Sequence, residues 1–177
     1  LPIIALAAVL VLPSRFNQSY KYIALLITII QLGVSGYLYS QYNPNIAGFN
    51  QLSGYQFVEQ LPWIRLDLGS IGKLEIDYFL GVDGFSLPLL VLSAFVMLMA
   101  VGASWNISKS VKGYFALLML LNTAVMGIFC SLDLFLFYVF YEVMLLPLYF
   151  LIGIWGGARR EYAAIKFFLY TLFGSVF

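Results

Sequence analysis

The chain has 177 residues, of which 63% are hydrophobic, 18% aromatic and 10% charged, with a net charge of +1. A water-soluble domain carries about 25% charged residues, so this composition excludes a soluble fold, and it offers no basic patch for nucleic acid. With one cysteine, Cys130, and no histidine, the chain forms no internal disulfide and lacks the ligands that haem, iron–sulfur and zinc sites require; its chemistry must run on carboxylates, lysines and water.

A membrane-spanning helix needs about 20 largely apolar residues. Leu1–Leu12 reads as the last part of one, closed by Pro13 and a polar turn holding Arg15, Asn17 and Lys21. Tyr22–Tyr39 is a second, with Gly33 and Gly36 as close-packing positions. Leu80–Trp105 is a third, where Pro88 is predicted to kink the helix or mark a re-entrant turn. Tyr114–Cys130 is a fourth, Asp133–Trp155 a fifth, and Tyr162–Phe177 opens a sixth. The chain starts without a methionine inside one apolar run and stops inside another, which reads as a piece of a longer protein. Its first segment has neither the charged start nor the small-residue cleavage site of a signal peptide.

Between the second and third helices lies the long polar stretch Gln41–Asp77. Trp63–Gly69 and Ile71–Asp77 alternate apolar and polar residues on either side of a Gly-rich turn, the pattern of a β-hairpin. The chain thus divides into residues 1–40 (two helices), 41–79 (a hairpin-bearing loop) and 80–177 (helices three to six). If the helices alternate in direction, one side carries Arg15, Lys21, Lys109, Lys112, Arg159 and Arg160, and the other only Arg65 and Lys73. Six cations against two put the short turns on the cytoplasmic side and the hairpin loop on the opposite one.

Glu142 stands alone in the fifth apolar run, nine residues after Asp133 and ~14 Å along the helix at ~1.5 Å per residue. A charged side chain at this depth costs roughly 2.5–3.5 kcal/mol on insertion scales, so an intramembrane acid points to a proton or ion path. Desolvation favours the neutral form of a carboxyl and a nearby ammonium favours the charged one, so an acid with a variable cationic partner is a protonation switch. The structural alternative is an acid kept neutral and hydrogen-bonded to a neighbouring helix. Pro147, five residues on, cannot donate to the carbonyl of Val143 and is predicted to bend the helix. Lys166 is the one cation inside an apolar run; it either snorkels to the interface or belongs to the proton path. Asp133 and Asp83 sit where N-caps belong. Asn122 and Thr123, midway along the fourth helix, are predicted to bond across to another helix, and Cys130 reads as a small apolar residue.

Three stretches together resemble the antiporter-like subunits of respiratory complex I. Leu80-Gly-Val-Asp-Gly-Phe-Ser86 is similar to the opening of their third helix, and Phe140-Tyr-Glu142-Val-Met-Leu-Leu-Pro147-Leu-Tyr-Phe to their fifth, with its glutamate and following proline. Trp155-Gly-Gly-Ala-Arg-Arg-Glu-Tyr-Ala-Ala-Ile-Lys-Phe-Phe-Leu-Tyr-Thr171 resembles the sixth helix of chain M, the fourth-subunit type of NADH:quinone oxidoreductase. The resemblance runs from about Tyr55 to Phe177. It implies an all-α transmembrane bundle of which this chain holds the N-terminal part, about six helices with the first and last truncated, opening the first of two inverted repeats. It implies proton translocation through a mid-membrane relay of Glu142 and a lysine on the seventh helix, beyond Phe177, coupled to remote redox chemistry. It favours a bacterial inner membrane, a pattern that mitochondrial and thylakoid relatives share, and implies no cofactor in this chain, with neighbouring membrane-arm subunits and the lipid bilayer as partners. The rival readings are a subunit of a multi-subunit sodium/proton antiporter, a structural membrane subunit, and a small-solute transporter with a site at broken helices.

Overall fold

The computed structural model describes residues 1–12, 17–44, 54–67 and 73–176. Six helices and one hairpin follow in the order α1 (Pro2–Val11), α2 (Asn17–Gln41), β1 (Gln56–Asp67), β2 (Lys73–Val82), α3 (Ser86–Ala103), α4 (Val111–Cys130), α5 (Leu134–Trp155) and α6 (Arg160–Val176). Among the described residues, four segments are long and apolar enough to cross a membrane: Gln18–Gln41, Ser86–Asn106, Val111–Cys130 and Leu134–Trp155. The protein is an integral membrane bundle. The turn around Pro13 and Arg15 and the Gly-rich tip of the hairpin fall outside the described residues.

Helices α1 to α4 surround a dry core of Ala5, Val9, Tyr20, Ala24, Met97, Val101, Phe115 and Met119. Helix α5 packs against α4, and α6 packs against α5 at the margin of the bundle. The hairpin is antiparallel, running from Gln56 opposite Val82 to Asp67 opposite Lys73. It has two register shifts, one spanning Phe57 with its positive φ of 54° and one following Pro62. A proline cannot donate to a ladder, and a shift in register at a sheet edge accommodates it.

The third helix begins later than the apolar run suggests. Leu80 and Val82 still pair in β2, and α3 has Phe85 at its N-cap with no side-chain cap, so the cap expected at Asp83 is instead a turn between strand and helix. Asp83 Oδ1 accepts from the amides of Phe85 (3.0 Å) and Ser86 (2.6 Å), while Ser86 Oγ accepts from the Asp83 amide at 3.0 Å. Pro88 consequently falls in the first turn, where a missing N–H removes no helical bond, and it is neither a kink nor a re-entrant turn. Gly33 and Gly36 also depart from expectation, since a Cβ on either meets nothing within 4 Å. The close approaches lie elsewhere. A Cβ on Gly127 of α4 would overlap the Phe140 ring of α5, and one on Gly81 would come within 2.6 Å of Leu132.

Three lysines gather at the end of the bundle opposite the hairpin, each on the exposed carbonyls that finish a neighbouring helix. Lys112 donates to Leu10 O (2.9 Å) and Leu12 O (2.8 Å) at the end of α1, Lys21 to Trp105 O (2.5 Å) after α3, and Lys109 to Ile154 O (3.3 Å) in α5. Cations belong there because the helix dipole is negative at that end. The same lysines that weight the sequence toward one side therefore have a structural function.

Near the middles of their helices, Gln31 of α2 and Asn122 of α4 exchange two hydrogen bonds of 3.0 and 2.7 Å, both side chains buried. Asn122 thus bonds across helices as expected. Thr123 instead turns back to Met119 O at 2.9 Å, as Thr28 does to Ala24 O and Ser35 to Gln31 O. A hydroxyl can satisfy itself on its own helix, whereas a primary amide cannot.

Removing one amide strands the other, at about 1–3 kcal/mol for an unpaired buried polar group. Asn122→Ala is expected to destabilise the full-length chain by that amount, and Gln31→Met combined with Asn122→Leu to cost less than the sum of the single changes. Thermal unfolding in bicelles reads this, and additive losses would show that the pair is not coupled.

Candidate functional site: a carboxyl between two helices

The helix that carries Glu142 is fixed at both ends. At the hairpin end, Asp133 Oδ1 accepts from the amides of Phe135 (2.9 Å) and Leu136 (3.0 Å), the N-cap anticipated from its position. The link just before it joins the hairpin: Leu132 N donates to Phe79 O at 2.9 Å, Ser131 forms a β-bridge with Leu80, and the Trp63 and Phe135 rings meet edge-to-face at 6.3 Å. At the lysine end, the Trp155 indole donates to Lys109 O at 2.9 Å and packs edge-on against Tyr114 at 5.1 Å.

Between these anchors Glu142 lies eight residues from the start of α5, as Asn122 lies eight from the end of α4. Both are ~12 Å from the hairpin end at 1.5 Å per residue. Glu142 is half-buried, and Pro147 is buried within a helix that continues through it to Trp155. The face of α5 that carries Glu142 meets α6. Glu142 Oε1 accepts from Ser175 Oγ at 2.8 Å, the Tyr149 and Phe168 rings meet at 5.6 Å, and Gly153 lies opposite Ala164 with 3.6 Å for an added Cβ. Steps of seven and four residues up α5 match equal steps back along α6. The Glu142–Ser175 contact is therefore part of a continuous antiparallel register.

Lys166 is placed apart from this pair. It is exposed on α6, with its ammonium 5.8 Å from the Tyr162 ring centroid and 5.6 Å from that of Tyr170, a distance at which a cation is attracted to a ring face. It lines an open cleft of ≈ 640 Å³ with Arg159, Arg160 and Phe167. Nine residues separate it from Ser175, ~13 Å along the axis and half a revolution round it. The two residues singled out in the sequence are not brought together, and Ser175, which does meet Glu142, escapes sequence reasoning. A serine after Gly174 in an apolar run reads as packing, and only the α5–α6 register reveals its partner.

An apolar bundle with one acid midway along its fifth helix defines the class as a polytopic membrane protein, and the family match makes it an antiporter-like subunit. Residues 131–177 match the family model described as NADH:quinone oxidoreductase/Mrp antiporter, TM, and residues 57–131 that described as NADH-ubiquinone oxidoreductase chain 4, amino terminus. The chain is 36% identical over 177 residues to NAD(P)H-quinone oxidoreductase chain 4 2 of Thermosynechococcus vestitus, covering 100% of this chain and 31% of that protein. It is 39% identical over 179 residues to NADH-quinone oxidoreductase subunit M of Rhodobacter capsulatus, covering 98% of this chain and 32% of that one. Its fold matches a chain of respiratory complex I from Thermus thermophilus with a TM-score of 0.74 at 24% identity, over 98% of this chain and 32% of that chain. The chain belongs to the chain 4, or subunit M, family of NADH:quinone oxidoreductases, and it spans about a third of the length of these relatives.

Because the Phe140 ring fills the space beside Gly127, the contact sets how closely α4 approaches the helix that carries Glu142. Gly127→Ala is expected to cost about 1–3 kcal/mol by overpacking, and Phe140→Leu in the same chain to recover most of it. Thermal unfolding of the purified full-length protein measures both; an unchanged midpoint for Gly127→Ala would show that the helices part freely.

Proposed function

We propose that the chain is part of a proton-translocating membrane subunit of an NADH:quinone oxidoreductase, with Glu142 as the residue that accepts and releases the proton at mid-membrane. The observation that carries this reading is a half-buried carboxyl at that depth, on a helix held at both ends and facing a neighbouring helix. A carboxyl in that setting responds to nearby charge, because an ammonium brought close favours its ionised form and low dielectric favours its neutral form. Moving one charge against 100 mV costs about 2.3 kcal/mol, and each pKa unit of differential interaction is worth about 1.36 kcal/mol. A change of a few units in the acid's surroundings is therefore enough to gate the transfer.

On this reading the cation that approaches Glu142 is a lysine of another helix in the longer protein, the arrangement suggested by the family resemblance. Lys166 has a smaller part: it is an interfacial cation at the lysine end, over its two tyrosine rings, where protons are taken up. The lysine end faces the cytoplasm, in a bacterial inner membrane, and the hairpin faces the opposite compartment. Redox chemistry belongs to other subunits of the complex, with no cofactor held by this chain, and the neighbours in the membrane arm are further antiporter-like subunits. One observation favours a second reading: the model matching residues 131–177 also describes the Mrp antiporters. Co-purification of the full-length protein with NADH-oxidising subunits distinguishes the two.

Glu142→Gln keeps the shape and most of the hydrogen bonding while removing the titrating group. In the assembled complex it is expected to reduce proton pumping about tenfold or more with subunit assembly intact, and Lys166→Met to reduce it less than about twofold. Pumping at the full rate by Glu142→Gln would make Glu142 a packing residue and end the relay reading.

A further inference from the structure

Ser175 holds one proton between two acceptors. Its Oγ lies 2.8 Å from Glu142 Oε1 and 2.9 Å from the carbonyl oxygen of Leu172, one turn back on α6. A serine hydroxyl has a single hydrogen and two lone pairs, so it donates to one of these oxygens at a time. The state of Glu142 decides which. An ionised carboxylate only accepts and takes the serine hydrogen. A carboxylic acid carries its own O–H, donates it to Oγ, and leaves the serine hydrogen to turn toward Leu172. Both arrangements use the same heavy-atom positions, and in each the serine hydrogen and the group facing it are paired.

Among the described residues, Ser104 Oγ lies between the Ala100 carbonyl and the Tyr114 hydroxyl, both at 2.7 Å, and four other helix hydroxyls bond only within their helices. Thr28, Ser35, Thr123 and Thr171 donate to carbonyls of their own helices, Thr171 to Phe167 O at 2.8 Å. Among these described residues it is Ser175 whose hydroxyl reaches both a backbone carbonyl and a carboxylate. Within two turns of the pair the titratable side chains are Tyr138, Tyr141 and Tyr149 on α5 and Tyr170 on α6, while Lys166 lies ~13 Å further along α6 and half a revolution round it. The α4 register, set by Gly127 against Phe140, places the apolar Val125 at the level of Glu142. The hairpin contacts of α5 lie at its first turn, around Phe135.

We propose that Ser175 is a positioning residue for Glu142, its hydroxyl turning between the carboxyl and the Leu172 carbonyl as the proton comes and goes, so that both protonation states are held in one place. The proposal rests on Glu142 being the proton relay. Its consequence is specific: a hydrogen bond to an ionised acceptor is stronger than one between neutral groups, so the hydroxyl favours the ionised state over the neutral one.

The test compares Ser175→Ala, Ser175→Thr and Glu142→Gln in the full-length chain within its assembled complex, with proton pumping followed as a function of pH. Ser175→Ala is expected to move the midpoint of the profile to higher pH by about one unit, a tenfold change in proton affinity, and Ser175→Thr to bring it back. If the alanine variant does not assemble, Ser175→Cys keeps the bulk with a weak donor and is expected to shift the midpoint in the same direction. A midpoint for the alanine or cysteine variant that coincides with the unmodified complex, while Glu142→Gln is defective, overturns the role of Ser175 and leaves the relay standing. Full pumping by Glu142→Gln overturns the relay and the role of Ser175 together.

Discussion

Inside a lipid bilayer no water is available to satisfy a stray polar group, and an amide or hydroxyl left without a partner costs several kcal/mol. The arrangement of this bundle follows from that constraint. The apolar residues fill the space between helices and set their registers, and the buried polar ones are paired across those contacts. Gln31 and Asn122 bind α2 to α4, and Glu142 and Ser175 bind α5 to α6. Small hydroxyls that lack a cross-helix partner fold back on their own carbonyls. At the lysine end the same demand, now made by helix-terminal carbonyls, is met by Lys21, Lys109 and Lys112.

Much of this architecture is legible in the sequence, because a spanning helix is local: about 20 apolar residues and a capping side chain suffice to mark one. Asp133 announces the start of α5, and the alternation around Trp63 and Ile76 announces a hairpin. Where the sequence misleads, the deciding partner is distant along the chain. Leu80–Val82 look like helix but form strand because Gln56–Glu59 lie beside them, and that shift moves Pro88 from mid-helix into the first turn. Gly33 and Gly36 carry the small-residue signature of close packing yet face open space, whereas Gly127, unmarked in its own helix, abuts Phe140. The acid is conspicuous because a charge is rare at that depth. Its partner is not, since Ser175 gains its meaning only from a register fixed by Tyr149 against Phe168 and Gly153 against Ala164.

A proton relay makes opposing demands of its carboxyl. The group must change charge, yet it must not swing away or drag its helix each time it does. The anchors of α5 answer the second demand: Asp133 and the hairpin at one end, Trp155 against Lys109 and Tyr114 at the other. In the proposed relay the hydroxyl of Ser175 answers the first, because it can present either its hydrogen or a lone pair from one position. On the proposed relay, α5 carries the titrating group between two anchored ends, and the changing field comes from elsewhere in the protein.

The central claim is that the carboxyl of Glu142 exchanges its proton while the complex works. Infrared difference spectroscopy of the full-length complex, comparing resting and NADH-driven membranes and assigning bands by their loss in Glu142→Gln, observes that carboxyl directly. The account predicts a carbonyl stretch of protonated Glu142 whose intensity changes on turnover with a matching, opposite change in a carboxylate band. A Glu142 band of constant intensity through turnover, whether protonated or ionised, would contradict it.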